Sequence, residues 1–275
     1  MGWRWYVNPG FSELLTLNGL NTPEAVFDAS GQVLNKRGLS SWRTRTRLEL
    51  QSPRDERSVL FVKRYIRPPW RDQCQRILAG HGWRSTAGIE WHWIEALRAG
   101  GVACPQAVAL AECLNGWREE RSAILLAPVP GISLERWAAD RTQRVARDML
   151  LSLAQFVRRL HRAGFVHRDL YLCHIFFEAG AAEPFHLIDL QRVFRPRRWR
   201  RRRWIVKDLA ALNYSAPAAV ASRRDRLRFL RGYLDQPRLD RSSKRLARAV
   251  EAKTRQIAAH DRHRQRSRPA GGTAS

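Results

Sequence analysis

Alternating apolar and polar residues predict β-strands in the first half of the chain. From Trp42 to Leu50 the even positions carry Trp, Thr or Leu, whereas the odd positions carry arginine or glutamate. Such alternation is typical of a strand with one buried face. After a polar turn over residues 52–56, the run Val59–Lys63 predicts a second strand and hence a hairpin. We interpret the short apolar runs Ala25–Phe27 and Ser122–Ala127 as two further strands.

Helical patterns follow, separated by residues that end or begin helices. We predict a helix over Thr86–Ala99, which the two glycines directly after it would end. The segment Pro128–Gly131 is rich in proline and glycine, and Ser133 beyond it can cap a short helix. From Val145 to Leu160 the apolar residues recur at helical spacing, and this pattern ends at Gly164, a residue type that favours helix ends.

The order of these elements predicts an α+β fold. After the long helix, two short apolar runs, Phe165–Val166 and Ile175–Phe177, flank a polar loop, and Phe185–Ile188 indicates one more short strand. We expect a β-rich N-terminal lobe over residues 1–127 and a mainly helical C-terminal lobe over residues 128–259. The polar segment over residues 260–275 ends in small residues and is interpreted as a disordered basic tail.

The charge balance indicates an anionic partner. The chain has 50 basic and 25 acidic residues, and all but five of the basic residues are arginines. Seven arginines fall within nine positions between Arg195 and Arg203, and from Arg223 onward basic residues outnumber acidic ones 16 to 5. Nucleic acid, a phosphorylated substrate and an acidic membrane surface all fit such a surplus.

Other classes of protein are disfavoured by what the chain lacks. Its four cysteines form no CxxC pair, which argues for a reduced cytoplasmic protein and against a disulfide scaffold or a zinc site. No window approaches 18 uncharged apolar residues, and the first residues lack the apolar run of a secretory signal.

The strongest motif in the sequence is an octapeptide that begins at His167. It reads His-Arg-Asp-Leu-Tyr-Leu-Cys-His and matches the phosphotransfer loop H-R-D-L-x-x-x-N, except that His174 stands in place of Asn. An aspartate is required at the third position, because the attacking hydroxyl must be oriented and must lose its proton. Asp169 is therefore the candidate catalytic base.

Two weaker strings predict the binding of a nucleotide and a metal. Asp189 ends the last predicted strand, which suits a Mg²⁺ ligand that faces the β- and γ-phosphates of ATP. Lys63 ends a string similar to V-A-I-K, in which a strand lysine contacts the phosphates and a helix glutamate holds it. Glu90 is the preferred partner of Lys63, and Glu95 is the alternative.

These strings resemble the lipopolysaccharide kinase family, whose bacterial members phosphorylate heptose or Kdo sugars of the inner core. Phe61-Val62-Lys63, the loop from His167 to His174, Asp189 in Ile-Asp-Leu and the string that begins Lys207-Asp208 carry the resemblance. His174 supports it, since the family tends to carry histidine there. The resemblance implies a bilobal protein-kinase-like fold, with ATP and Mg²⁺ as cofactors.

The resemblance also implies a role for each matching residue. Lys63 would contact ATP, Glu90 would orient Lys63, Asp169 would be the base, and Asp189 would hold Mg²⁺. Arg168 would take part in catalysis by pairing with an acidic or phosphorylated group, or would simply pack. His174 would be a metal ligand or would position a phosphate by a hydrogen bond. Asp208, together with His167, would brace the catalytic loop.

The arginine-rich segment lies where kinases place the activation segment and substrate platform. Arginine pairs well with phosphate and carboxylate, and Trp199 and Trp204 suit a membrane interface. We therefore expect docking on the lipopolysaccharide core or another anionic glycolipid, at the cytoplasmic face of the inner membrane. A solvated basic loop is the alternative. The docking residues are Arg195, Arg197, Arg198, Arg200, Arg201, Arg202 and Arg203.

Two other functions stay open at this stage. A pseudokinase would explain Phe61 in place of a small residue, His174, and the absence of a G-x-G-x-x-G loop around Gly31 and Gly38. A nucleic-acid-binding protein would explain the arginines, but no motif of a known nucleic-acid-binding fold is present, so no specific nucleic acid is expected.

Overall fold

The computed structural model describes residues 2–34, 40–53, 57–140 and 145–266. The chain forms two compact units. Unit 1 contains Met1–Ala99, Ala103–Val129 and Ile188–Gln191. Unit 2 contains Gly100–Val102, Pro130–Leu187 and the chain from Arg192 onward.

Unit 1 is built on a six-stranded sheet with the order β1-β5-β6-β4-β3-β2. All of its neighbouring strands are antiparallel. The elements of this unit are β1 (Trp3–Val7), α1 (Ser12–Leu17), α2 (Pro23–Asp28), β2 (Gln32–Val33), β3 (Arg43–Gln51), β4 (Arg57–Ile66), α3 (Trp70–Leu78), α4 (Thr86–Ala99), β5 (Ala107–Asn115) and β6 (Arg118–Leu126).

The predicted hairpin is confirmed as β3 and β4. The alternation in β3 buries Leu48 and Leu50, which join Leu60 and Val62 of β4 in the core on one face of the sheet. The predicted helix α4 has the expected bounds and packs against β4, β5 and β6. These contacts place Lys63 of β4 and a buried face of α4 in the same unit.

The prediction of a strand at Ala25–Phe27 is wrong, because this segment lies in α2. The Thr22 side chain accepts a hydrogen bond from the backbone N–H of Ala25, and Pro23 occupies the start of the helix. Both features favour a helix N-terminus. Val26 is buried, as the apolar pattern suggested, but it lies on a helix and not on a strand. Residues 54–56 of the predicted polar turn, and Gly38, lie outside the described residues.

Unit 2 combines a three-stranded antiparallel sheet, of order β7-β8-β9, with five helices among its described residues. Helix α6 packs against α8, and α7 packs against α9. The elements are β7 (Ile132–Ser133), α5 (Leu134–Ala139), α6 (Arg147–Arg162), β8 (Ile175–Phe177), β9 (Phe185–Leu187), α7 (Arg201–Ser215), α8 (Arg223–Leu234) and α9 (Arg241–Arg266).

Several sequence signals mark the true element boundaries in unit 2. The Ser133 side chain accepts from the backbone N–H of Arg136 at the start of α5. Gly164 follows α6 with a φ of +91°, a conformation that glycine adopts without strain. Helix α6 begins at Arg147, so the apolar pattern predicted to start at Val145 enters the helix two residues later.

The prediction of a disordered tail from His260 is wrong for its first residues. Helix α9 continues to Arg266, and the Tyr214 hydroxyl donates to the carboxylate of Asp261 at 2.6 Å. This hydrogen bond links the last turns of α9 to α7, in a part of the sequence where apolar residues are scarce. Residues 267–275 lie outside the described residues. No helix in the described part of the chain is long and apolar enough to cross a bilayer.

Candidate active site

A buried ion pair joins β4 and α4 in unit 1. Lys63 Nζ donates to Glu90 Oε1 at 2.5 Å and lies 3.4 Å from Asp189 Oδ1. The Glu90 side chain is 1% exposed and that of Lys63 is 11% exposed. The structure thus brings together three residues that the sequence singled out. Glu95, the alternative partner, is exposed on the same helix.

A second cation, which the sequence did not identify, completes this cluster. Arg45 stands opposite Lys63 in the β3–β4 register, and its Nη2 lies 3.2 and 3.4 Å from the carboxylate oxygens of Asp189. Burial is the largest single effect and lowers the pKa of Arg45, but the negative charges of Asp189 and Glu90 and the hydrogen bond to Asp189 together outweigh it, so that pKa is raised. The alternating pattern had assigned Arg45 only to the polar face of its strand.

Tyr65 and Gln191 support the carboxylates of the cluster. The Tyr65 hydroxyl donates to Glu90 Oε2 at 3.4 Å, and the Gln191 amide donates to the same hydroxyl at 2.5 Å. Burial, together with the charges of Glu90 and Asp189, raises the pKa of Tyr65 well above its usual value. Tyr65 therefore stays a neutral donor that orients Glu90.

Asp189 has a strained backbone with a φ of +61°. Aspartate tolerates this left-handed conformation better than most residues do, but the conformation persists only where the surroundings hold it. Here the ion pairs of Asp189 with Arg45 and Lys63 maintain the conformation, and so does the packing of the buried neighbour Leu190. The carboxylate is fixed at its position by the fold.

In unit 2, Asp208 of α7 braces the loop that carries the predicted base. The buried carboxylate accepts from the backbone N–H of His167 at 2.7 Å and from that of Arg168 at 2.8 Å. His161 Nε2 lies 3.3 Å from the same carboxylate, and His161 Nδ1 lies 2.8 Å from the Tyr233 hydroxyl. This network holds Arg168 at a φ of +71°.

The side chain of Asp169 forms a two-oxygen contact with Arg192. Arg192 Nη1 lies 3.0 and 2.8 Å from the two carboxylate oxygens. The backbone carbonyl of Asp169 accepts from the N–H of Tyr171 at 2.9 Å and from His174 Nδ1 at 2.7 Å. Because a carbonyl only accepts, His174 Nδ1 carries the proton, and the ring fixes the loop at this point. The sequence had given no signal for Arg192.

Arg168 packs on aromatic rings. Its guanidinium carbon lies 5.2 Å from the Trp204 ring centroid and 5.8 Å from that of Phe194. Burial lowers the pKa of Arg168, and the neighbouring charge of Arg192 acts in the same direction. Of the two roles expected for Arg168, the geometry supports packing, with the cation on the electron-rich faces of the rings.

The arginine-rich segment is part irregular and part helical. It passes through a short 3₁₀ turn at Arg198–Arg200 and enters α7 at Arg201. Arg201 donates to the backbone carbonyl of His161, so this arginine serves the interior of unit 2. Arg195 lies over the Phe165 ring at 4.4 Å. The exposed members of the segment are Arg195, Arg197, Arg198, Arg200, Arg202 and Arg203.

Gly31 has a packing role. A Cβ atom at this position would lie 2.5 Å from the backbone oxygen of Arg47, so only glycine lets the chain approach β3 so closely. The position therefore does not require a nucleotide to explain its glycine.

The chain matches one protein family over most of its length. Residues 43–233 match the lipopolysaccharide kinase (Kdo/WaaP) family. The chain is 34% identical over 235 residues to the lipopolysaccharide core heptose(I) kinase WaaP of Pseudomonas aeruginosa, covering 80% of this chain and 83% of the relative. It is 33% identical over 162 residues to the kinase of the same name from Escherichia coli K12, covering 55% of this chain and 61% of that kinase.

A solved structure leads to the same family. The chain is similar to WaaP in complex with acyl carrier protein, with a TM-score of 0.67 and 29% identity over 92% of this chain and 99% of that one. The expected α+β, protein-kinase-like architecture is thereby confirmed. By these matches the chain belongs to the lipopolysaccharide kinase (Kdo/WaaP) family and is, with it, a sugar kinase of the lipopolysaccharide core.

Proposed function

We propose that the protein transfers the γ-phosphoryl group of Mg·ATP to a hydroxyl of a heptose in the lipopolysaccharide inner core. The buried Lys63–Glu90 pair with Asp189 at 3.4 Å carries the proposal, because it is the arrangement that a kinase uses to hold phosphates. Heptose is favoured over Kdo by the names of the relatives, which are heptose(I) kinases.

In this proposal, unit 1 holds the nucleotide. Lys63, oriented by Glu90, contacts the phosphates, and Arg45 adds a second positive charge from the neighbouring strand. Asp189 would hold Mg²⁺, since this ion prefers oxygen ligands such as carboxylates. Phosphate and water oxygens would supply the other ligands, as is usual for Mg²⁺ bound with a nucleotide. The ion would neutralise charge that develops on the phosphoryl oxygens.

Unit 2 supplies the base. Asp169 accepts the proton of the heptose hydroxyl as the bond to phosphorus forms. Arg192 orients the Asp169 carboxylate, and the brace from Asp208 keeps the loop in its strained conformation. His174 contributes through the loop backbone, because its Nδ1–H donates to the Asp169 carbonyl and fixes the ring there.

The exposed arginines between Arg195 and Arg203 suit docking on an anionic glycolipid. Trp199, 75% exposed beside them, is a residue type that favours membrane interfaces. We accordingly place the protein at the cytoplasmic face of the inner membrane, in peripheral contact with its substrate.

An acyl carrier protein is a candidate partner, because the similar WaaP structure contains one. Unit 2 has an apolar cavity of about 850 Å³ that would accommodate an acyl chain, and arginines on α8 also line it. Its lining includes Met149, Leu153, Leu209, Leu212, Leu230, Arg223, Arg224 and Arg226. Co-expression with an acyl carrier protein, followed by native mass spectrometry, tests this partner; purification of the kinase without any bound carrier protein would contradict it.

Transfer from labelled ATP to purified inner-core glycolipid tests the kinase function. Wild-type protein should add one phosphate to a heptose, located by tandem mass spectrometry, and the Asp169→Asn variant should not. Phosphorylation of Kdo instead would correct the acceptor. Binding of ATP without any transfer would favour a pseudokinase, and salt-sensitive retention on RNA without ATP turnover would favour the nucleic-acid alternative.

A further inference from the structure

A strongly basic cavity lies between α7 and α9 in unit 2. It has a volume of about 560 Å³. We call it the α7–α9 cavity; its lining residues are Arg202, Arg203, Trp204, Val206, Lys207, Ala249 and Lys253. Both arginines belong to the arginine-rich segment, whereas Lys207 and Lys253 do not. Lys253 lies on α9, a helix that has no part in the site described above.

The charge of this cavity has one sign. Within the described part of the chain, seven residues line the cavity; four of them are cationic and none is acidic. Like charges repel one another, so packing α7 against α9 in this register opposes the electrostatic preference of the side chains. A concave surface with several cations concentrates positive potential and therefore attracts an anion. Phosphate and carboxylate are the anions that arginine and lysine bind best.

Trp204 holds part of this charge in position. Lys207 Nζ lies 5.5 Å from the Trp204 ring centroid, and the guanidinium carbon of Arg203 lies 5.8 Å from it. Burial lowers the pKa of Lys207, with the charges of Arg192 and Arg168 acting in the same direction and those of Asp169 and Asp208 opposing them. The lysine is thus partly desolvated, and an incoming anion would stabilise its charged form.

The cavity is connected to the catalytic loop through the same indole ring. Arg168, the residue before Asp169, places its guanidinium carbon 5.2 Å from the Trp204 centroid. Asp169 also acts electrostatically on Lys207. An anion bound beside Trp204 would therefore lie next to the catalytic loop, as a charged group of the substrate whose hydroxyl meets Asp169 would.

We propose that the α7–α9 cavity binds a negatively charged group of the acceptor glycolipid, a phosphate or a sugar carboxylate, through Arg203, Lys207 and Lys253. This inference rests on the proposed kinase function and adds to it a subsite that selects the acceptor. The subsite positions the sugar relative to Asp169, so that recognition of one charged group determines which hydroxyl is presented.

The test compares two lysines of the same helix. Lys253 lines the cavity, whereas Lys244 is exposed elsewhere on α9. Lys253→Gln should raise the KM for the glycolipid about fivefold, as expected for the loss of one partly buried ionic contact, and should leave the KM for ATP unchanged. Lys244→Gln should change neither value. Arg203→Gln provides a second variant on the opposite wall, and thermal melting verifies that each variant is folded.

Two modified acceptors identify the charged group. If removal of phosphates from the inner core abolishes the difference between Lys253→Gln and wild type, the group is a phosphate. If reduction of the Kdo carboxyls abolishes it, the group is a carboxylate. Equal glycolipid KM values for Lys253→Gln and Lys244→Gln overturn the subsite.

A binding measurement separates this result from failure of the kinase function. Affinity for the intact glycolipid is measured without ATP, and it should fall in Lys253→Gln and stay unchanged in Lys244→Gln. A wild-type protein that transfers no phosphate would contradict the kinase proposal alone, since this binding difference still decides the subsite.

Discussion

The charged clusters of the two units differ in their balance. The cluster in unit 1 pairs two cations, Lys63 and Arg45, with two carboxylates, Glu90 and Asp189. In unit 2, the cations around Asp169 and the α7–α9 cavity exceed the carboxylates near them. The first cluster neutralises its own charge within the fold, whereas the second retains a surplus that an anionic substrate would neutralise.

This difference follows from burial. A buried charge without a partner is costly, and Lys63 and Glu90 lie almost wholly out of solvent. The protein itself must therefore place an opposite charge beside each of these two side chains. The Arg192 side chain is 52% exposed, so water stabilises it and an excess of cations is tolerated there. A site for a phosphate-rich glycolipid can be basic only where solvent still reaches it.

The largest effect is expected at Asp169. Asp169→Asn should lower kcat by about 10³-fold or more, because proton removal in phosphotransfer then lacks its base. Melting temperature should change little, since the Asp169 side-chain contact with Arg192 is a half-exposed ion pair. Near wild-type turnover in this variant would refute the assignment of the base.

Asp208→Ala should affect stability as well as activity. The buried carboxylate satisfies two backbone N–H groups and lies against His161, so its loss leaves buried polar groups unpaired. We expect the free energy of unfolding to fall by about 3–5 kcal/mol. Urea denaturation measures this change, and Arg202→Ala, which alters an exposed residue of the same helix, serves as the control. A fully stable but inactive protein would move Asp208 from a bracing role to a catalytic one.

Glu90→Gln tests the balanced cluster. The variant removes a negative charge next to Lys63, which should then move toward Asp189 and hold phosphates less well. We expect the affinity for Mg·ATP to fall about tenfold or more, equivalent to loss of one buried charge-assisted hydrogen bond. Nucleotide titration by calorimetry measures it, with the exposed Glu95→Gln as control. Equal affinities in the two variants would contradict the role of Glu90.

Arg192→Gln should lower kcat by about tenfold while leaving the KM for ATP unchanged, because Arg192 orients the base. Arg192→Lys should restore part of the rate. A loss of thermal stability with kcat unchanged in the folded protein would indicate a structural role only.

The smallest effect on chemistry is expected in the arginine-rich segment. Replacing Arg195, Arg197, Arg198 and Arg200, which lie outside the α7–α9 cavity, with Gln should weaken binding to anionic vesicles, by about 1 kcal/mol for each arginine near the surface. Turnover of a soluble acceptor fragment should hardly change. Co-sedimentation at low and high salt measures the binding. If the four-Gln variant sediments with anionic vesicles as well as wild type does, the segment is only a solvated basic surface.

Local patterns predicted the elements around both clusters. The alternation over Trp42–Leu50 and the helix Thr86–Ala99 were predicted within a residue of their bounds. At Ala25–Phe27 the prediction failed, because apolar composition alone does not distinguish a short strand from a helix whose start is set by Thr22 and Pro23. The pairing of Glu90 with Lys63 was anticipated from motif spacing, and the geometry agrees with it.

The sequence by itself determined the family, the order of the elements and the residues that carry the chemistry, because short motifs and periodicity are local properties. Only the tertiary structure revealed Arg45 beside Asp189, Arg192 on Asp169, and Lys253 in a cavity with Lys207. These residues are far apart along the chain or lack any motif, and strand register and helix packing bring them together. Which charge finds a partner and which stays available for a substrate is decided by that packing.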